Sequence, residues 1–290
     1  MLLGTLVYGF INSCILALLA LGFNLTFGIS GVANFAYGAI YIFSGFLTWI
    51  TLNSFGLPYF LSVIISIACA ALIGLLVYYV VIMRVKGLAL SEVIATFGLG
   101  LAIMELFRYF NFVGFKYNLP VFFDGSLGIG DVYVDYQRVF IALIAVALTL
   151  FLYLFTRHSK IGLAFRAIAQ DERTALTFGI DSDLIGALSM AFGAALAAIA
   201  AIVILPLGTI AVEGGYDVLI NALAVCIVGG LGSTVGILVA SVLIGYAQTF
   251  TANYLEPHWM MLVSLIAIAV VLTIKPSGLF SHQKELEERI

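Results

Sequence analysis

The chain has 290 residues, of which 63% are hydrophobic and only 9% are charged, and its formal net charge is −3. A soluble domain carries about 25% charged residues, so this composition excludes a soluble globular protein, and the slightly acidic balance gives no sign of nucleic-acid binding. The apolar stretches are long and continuous rather than alternating segments of about ten residues, which predicts an all-α, polytopic membrane helix bundle and not a β-barrel.

In chain order, the apolar stretches predict about eight membrane-spanning helices within a single transmembrane domain, 1–290. The predicted apolar segments are 5–27, 32–52, 57–83, 90–110, 139–155, 184–205, 218–228 resumed as 235–250, and 259–274. Residues 111–137 are polar and rich in glycine, which predicts an extramembrane loop with a short hairpin.

Glycine-rich breaks interrupt this pattern near residues 28–38, the first break, and residues 229–234, the second break. In the first break, three glycines surround Asn34. Such sequences are typical of a re-entrant segment whose backbone groups face protein or water, or of a tight turn between close-packed helices. The second break, GGLGS, lacks the lysine and the spacing of a phosphate-binding loop, and we expect it to be the counterpart of the first.

Polar side chains within the apolar segments are the candidates for a translocation pathway. They are Asn12, Asn24, Asn34, Glu105, Asn221 and Gln248. The uncharged ones suit passage of a polar, uncharged or zwitterionic solute, but such side chains also serve as interhelical hydrogen-bonding groups. Arg108 follows Glu105 by three residues on one helical face, which indicates either an ion pair near the membrane edge or a pathway or gating role for the carboxylate.

Residues 157–183, here called the polar segment, carry eight of the chain's 12 basic and 15 acidic residues. Each charge at the centre of a membrane helix costs roughly 2.5 to 3.5 kcal/mol, so the polar segment must lie in water. Ala164, Ile168, Ala175 and Phe178 nevertheless recur at near-helical spacing, which predicts one or two short amphipathic helices over residues 161–178. Their apolar face either lies on lipid or docks in a groove of a soluble partner, and the many alanines favour docking.

The distribution of basic residues predicts the orientation. If the polar segment is cytoplasmic, the inner segments hold nine lysines and arginines and the outer segments hold three, Arg108, Lys116 and Arg138. The positive-inside rule then places the N-terminus outside and the C-terminus in the cytoplasm.

No residue pattern indicates catalysis, a cofactor or a metal site. The three histidines are far apart, and no His-x-x-x-His or Cys-x-x-Cys occurs. The three cysteines lie in apolar runs and are predicted to be packed thiols. A solute transporter therefore remains. It draws energy either from an ion gradient, with Glu105 or Glu92 as the acidic site, or from a separate ATPase that docks on the polar segment.

Four motifs are spread along the chain: ALLALGFNLTFGISGVANFAYGAIY at 17–41, KIGLAFRAIAQDERTALTFGID at 160–181, GGLGSTVGILVASVLIG at 229–245 and KPSGLF at 275–280. In these motifs the chain resembles the LivH-type permease subunits of branched-chain amino acid ABC importers. Phe27 and Tyr37 stand where that family's pattern has Tyr and His. Because the motifs are spread over the full length, the resemblance covers the whole chain.

The resemblance implies a permease in the inner membrane of a prokaryote, embedded in lipid and without ATPase activity of its own. Its partners would be a second, homologous permease subunit, two cytoplasmic ATPase subunits and an extracytoplasmic solute-binding protein. The polar segment would be the ATPase-coupling segment, and the family pattern there falls on Gly162, Arg166, Ala167, Asp171, Ala175 and Gly179. The solute would be a branched-chain or other hydrophobic amino acid, although related permeases serve urea, short amides or aromatic acids.

Overall fold

The computed structural model of the protein describes residues 2–112, 117–130 and 132–280, except for the side chains of Ala89 and Ile129. Lys116 and the charged tail 281–290, which entered the orientation argument, lie outside the described residues.

Most of the described chain is helical. The α-helices are α1 (Leu2–Ser30), α2 (Tyr37–Asn53), α3 (Tyr59–Val77), α4 (Met83–Val85), α5 (Ala89–Tyr109), α6 (Tyr136–His158), α7 (Lys160–Gln170), α8 (Glu172–Thr177), α9 (Ser182–Ile204), α10 (Gly214–Gly229), α11 (Thr234–Tyr254) and α12 (Met260–Ile274). A π-helical turn, Tyr78–Ile82, joins α3 to α4 without a break.

The predicted helix bundle is confirmed. Seven helices of the described chain are long and apolar enough to cross a membrane, and α2 and α10, with 17 and 16 residues, are shorter. The predicted hairpin is also present, since β1 (Ser126–Ile129) pairs antiparallel with β2 (Val132–Asp135). The third apolar segment runs on to Val85 through the π-helical turn, and α6 begins three residues before the predicted start at 139.

Helices α1 and α9 form the centre of the bundle. Two-thirds of the most apolar window of each is buried, compared with 6% for α12. Helix α1 packs along α9 and α11, and α3 packs along α9 on another side. The alanine-rich stretch of α9, around the fully buried Ala197 and Ala201, lets these neighbours approach closely, as its small residues predict. The outer faces of α5, α6 and α12 remain apolar and exposed, as expected for helices that contact lipid or another subunit.

The first break is a non-helical stretch between α1 and α2. Helix α1 continues to Ser30, and α2 starts at Tyr37, whereas the sequence predicted a second helix from residue 32. Gly31 adopts a φ of 68°, in the left-handed region that favours glycine, and this ends α1. Asn34 and Ala36 in this stretch are buried, and the N–H of Phe35 donates a hydrogen bond to the Thr96 hydroxyl of α5. The backbone of the stretch therefore faces protein, which agrees with the re-entrant interpretation more than with a tight turn.

Candidate coupling and translocation sites

The polar segment is ordered as two short helices, as predicted. Ser159 caps α7, where its Oγ accepts a hydrogen bond from the backbone N–H of Gly162 at 2.8 Å. Asp171 ends α7 and caps α8, where its carboxylate accepts hydrogen bonds from the N–H groups of Arg173 and Thr174. Gly179, with a φ of 79°, ends α8. These capping groups explain why a segment this rich in charge holds a fixed shape.

The chain itself covers much of the apolar face of the polar segment. Phe165 is fully buried and packs against Phe155 of α6 and Phe192 of α9, with ring centroids 6.2 and 6.0 Å away. Ile168 and Ala175 are buried in the same cluster. The expectation that a partner covers Ile168 and Ala175 is therefore wrong, because the membrane helices already do so.

The residues matched to the family pattern divide into those buried against the bundle and those open to solvent. Gly162 is buried, and a Cβ there would lie 2.2 Å from the carbonyl oxygen of Phe155, so only glycine lets α7 fold back on α6. Arg166 is exposed and Ala167 is half-buried. The large apolar side chains left uncovered are Ile161, Leu163, Leu176 and Phe178, of which Phe178 is 81% exposed.

A charged cluster ties the polar segment to the membrane helices, and it was not predicted from the sequence. Lys86, in the turn after α4, lies 2.8 Å from the carboxylate of Asp183 and 3.3 Å from that of Glu172. Ser182 donates a hydrogen bond to Glu172, and the Tyr78 hydroxyl donates one to Asp183 at 3.1 Å. The cluster therefore joins α8, the first turn of α9 and the π-helical turn that follows α3.

The cluster shifts the pKa values of its charged members away from the neutral range. The hydrogen bond from Ser182 and the ammonium of Lys86 outweigh burial and lower the pKa of Glu172. Burial opposes the charge of Lys86, but its hydrogen bond to Asp183 and the negative groups around it raise its pKa overall. Both groups therefore stay charged at neutral pH. In the sequence, Lys86 contributes only to the count of basic residues on the inner side, and no spacing rule connects it to Glu172 or Asp183.

Three of the predicted pathway residues meet in one network. The side-chain amide of Gln248 donates to the Asn221 Oδ1 at 3.0 Å and to the Ser264 Oγ at 2.7 Å, while its Oε1 accepts from the Asn12 Nδ2 at 3.0 Å. The Ser264 hydroxyl also donates to Asn221, and the Asn12 Nδ2 to the carbonyl of Gly245. The network joins α1, α10, α11 and α12. Ser264 was not predicted, because one serine in an apolar helix carries no distinguishing signal.

The other three predicted pathway residues lie elsewhere. The Asn24 Oδ1 accepts a hydrogen bond from the backbone N–H of Gly232 at 2.8 Å, and the Asn34 Oδ1 accepts one from that of Ala36 at 3.1 Å. Both asparagines are buried and thus organise the backbone of a break. Glu105, whose carboxylate forms the expected ion pair with Arg108, is 59% exposed in its side chain.

The two glycine-rich breaks contact each other. A Cβ on Gly28 would lie 3.1 Å from the Cα of Gly232, so the end of α1 approaches the turn between α10 and α11 closely. The KPSGLF motif joins them, since the N–H groups of Leu279 and Phe280 donate to the carbonyls of Val228 and Gly229. Three stretches that are far apart in the chain therefore form one end of the bundle, the same end that carries Asn24.

Comparison with known sequences decides the family. Residues 5–272 match the family described as the permease component of branched-chain amino acid transport systems. The chain belongs to this family. The match covers nearly the whole bundle, which confirms a transport subunit instead of an enzyme, and this permease is a multi-pass protein of the inner membrane.

Named relatives of this permease match it over nearly their full lengths. The high-affinity branched-chain amino acid transport system permease protein BraD of Pseudomonas aeruginosa is 27% identical, over 96% of this chain and 95% of BraD. LivH of Salmonella typhimurium is 26% identical over 92% and 91% of the two chains. A probable LivH of Methanocaldococcus jannaschii is 29% identical over 95% and 90%.

One solved structure shares the fold. PsaBC from Streptococcus pneumoniae, determined in complex with Fab, is 12% identical and superposes with a TM-score of 0.50, covering 94% of this permease and 92% of that chain. At this identity the likeness concerns the helix arrangement alone. Permease components of ABC importers work with ATPase subunits and a solute-binding protein, so partners of these two kinds follow from the family.

Proposed function

We propose that this permease is the membrane subunit of an ATP-driven importer that carries branched-chain or other hydrophobic amino acids into the cell. The observation that carries this proposal is the family match over residues 5–272, together with relatives whose printed names specify branched-chain amino acids. The related function of importing urea, short amides or aromatic acids has no support from these names.

The polar segment is proposed as the site that the ATPase grips. Its helices are capped, α7 packs on α6 and α9, and α8 packs on α7, so a force applied to them reaches the bundle. In this proposal Gly162 and Ala175 let the segment pack tightly on the bundle. Asp171 and Gly179 determine where its two helices end. Arg166, beside Ala167, contacts the partner. The exposed Leu163, Leu176 and Phe178 supply the apolar part of that contact.

The assembly is proposed to hold this chain, a second homologous permease subunit, two cytoplasmic ATPases and an extracytoplasmic binding protein. The orientation is proposed with the N-terminus outside and the C-terminus cytoplasmic. That arrangement requires an odd number of crossings. The seven long helices with α2 and α10 make nine, because residues 218–228 and 235–250 lie in two separate helices and not in one of eight spans. The coupling segment, the glycine-rich breaks and KPSGLF then lie on the cytoplasmic side.

An ion-coupled carrier is the alternative of another class, and the side chains oppose it. Glu105 is exposed and bound to Arg108, which also contacts Glu213 at 3.0 Å. Glu92 is buried near the start of α5, where its carboxylate accepts the N–H of Gly87 at 2.9 Å. Neither carboxylate is free in the middle of a span, where coupled carriers place their acidic site.

The experiment reverses the proposed contact. The double substitution Arg166→Glu with Ala167→Arg should abolish solute-stimulated ATP hydrolysis in the purified complex while the permease remains inserted. Arg138→Glu, which repeats the charge reversal made at Arg166 but on the proposed outer side, should leave hydrolysis within about twofold, because surface ion pairs contribute little. Wild-type hydrolysis in the double variant would remove the docking role of the polar segment.

A second measurement separates the two energy sources. In proteoliposomes, uptake of radiolabelled leucine should stop when internal ATP is omitted and should persist when an ionophore collapses the ion gradients. Uptake that requires the gradient and not ATP would establish the carrier instead.

A further inference from the structure

We infer that Lys86 is a positioning residue that transmits movement of the polar segment to the membrane helices. The inference rests on the proposed function. It follows from the position of one ammonium group between two carboxylates that belong to different helices, Glu172 of α8 and Asp183 of α9.

The first step concerns the connection between α3 and α9. The ring of Tyr78 lies directly over Gly186, where a Cβ would come within 2.7 Å of the ring, so the π-helical turn and α9 pack without a gap. The Tyr78 hydroxyl bonds to Asp183, so the carboxylate is held by the membrane helices. A π-helical turn inside a helix is itself a common feature of functional sites.

The second step concerns α8. Its own packing on the bundle is slight: Ala175 is buried, but the other five residues of α8 are exposed. The polar links of α8 to the bundle run through Glu172, which accepts hydrogen bonds from Lys86 and Ser182. Without the ammonium, Glu172 and Asp183 would repel each other, so Lys86 acts together with the Ser182 hydroxyl to hold these two acidic ends together.

The third step concerns strength. The side chains of Lys86, Glu172 and Asp183 are 37%, 47% and 44% exposed, and ion pairs this exposed are individually weak. A cleft beside the cluster reaches Ile29 and Val32 of the first break. These contacts are therefore too weak to hold the fold by themselves, so their loss should affect transmission more than folding.

The test measures solute imported per ATP hydrolysed in proteoliposomes that contain the full complex. In Lys86→Gln this ratio should fall by at least about fivefold, the lower end of typical coupling between sites. Lys86→Arg should restore the ratio. Arg84→Gln is the matched control, because Arg84 lies two residues away and has no hydrogen bond or ion pair among the described residues.

Graded variants sharpen the test. Asp183→Asn should lower the ratio more than Glu172→Gln, because the contact from Lys86 to Asp183 is 2.8 Å and the one to Glu172 is 3.3 Å. An unchanged ratio in Lys86→Gln, or an equal fall in Arg84→Gln, would overturn the inference. If the wild-type complex itself imports without ATP, the proposed function fails instead, so the two failures are distinguishable.

Discussion

Replacing Gln248 with leucine tests whether the polar network of α1, α10, α11 and α12 holds helices together or lines a pathway. Gln248 makes three interhelical hydrogen bonds, to Asn12, Asn221 and Ser264. Such bonds contribute about 0.6 kcal/mol each on average within a membrane protein, so losing three lowers the free energy of unfolding by about 2 kcal/mol. That corresponds to roughly a 30-fold change in the folding equilibrium.

The remaining members of the network limit this loss. After the substitution, Asn12 still donates to the Gly245 carbonyl at 3.2 Å, and Asn221 still accepts from the Ser264 hydroxyl at 2.8 Å. No buried polar group is left unpaired, so no desolvation penalty adds to the figure. Asn221→Leu, which removes two bonds instead of three, should cost about two-thirds as much.

The assay is unfolding by sodium dodecyl sulfate in mixed micelles, followed by the fluorescence of the two tryptophans. Thr251→Val on the same helix is the control, because the Thr251 hydroxyl bonds only to the Ala247 carbonyl one turn away. Uptake per folded permease should stay within about twofold of the wild type, since the network is satisfied within the chain. A stable Gln248→Leu protein that has lost uptake would refute the reasoning and establish the pathway role.

Two further predictions concern the breaks. Gly38→Ala should sharply reduce the yield of folded protein, because its Cβ would lie 1.9 Å from the Gly215 carbonyl oxygen. The control Gly98→Ala, whose Cβ would have nothing within 4 Å, should be neutral or stabilise α5 by up to about 1 kcal/mol. Quantitative size-exclusion chromatography of matched preparations compares the two yields, and equal yields would contradict the packing at Gly38. Asn24→Leu should cost about 1 to 3 kcal/mol in the same unfolding assay, because the N–H of Gly232 loses its acceptor, and an unchanged midpoint would show that this bond contributes nothing.

Much of the fold followed from the sequence alone. Long apolar runs, scarce charges and concentrated glycines are local properties of the sequence, and each acts locally. A segment in hydrocarbon must satisfy its own backbone hydrogen bonds, so apolar runs form helices. Charges are costly in hydrocarbon, so the charged residues 157–183 are placed outside it. The caps at Ser159 and Asp171 were not predicted, although they are local in the same sense, because a cap acts on the next few residues. The motif resemblance added the family, which the comparison then confirmed.

Tertiary structure alone decided which distant residues meet. Gln248 and Asn12 are separated by 236 positions, and Lys86 and Asp183 by 97, so no spacing rule could pair them. The packing of α1 on α11, and of the π-helical turn on α9, determines these pairs. Amphipathic periodicity favoured a partner as the cover of Ile168 and Ala175, but the structure buries both against the bundle. Periodicity identifies an apolar face, but it does not show what covers that face.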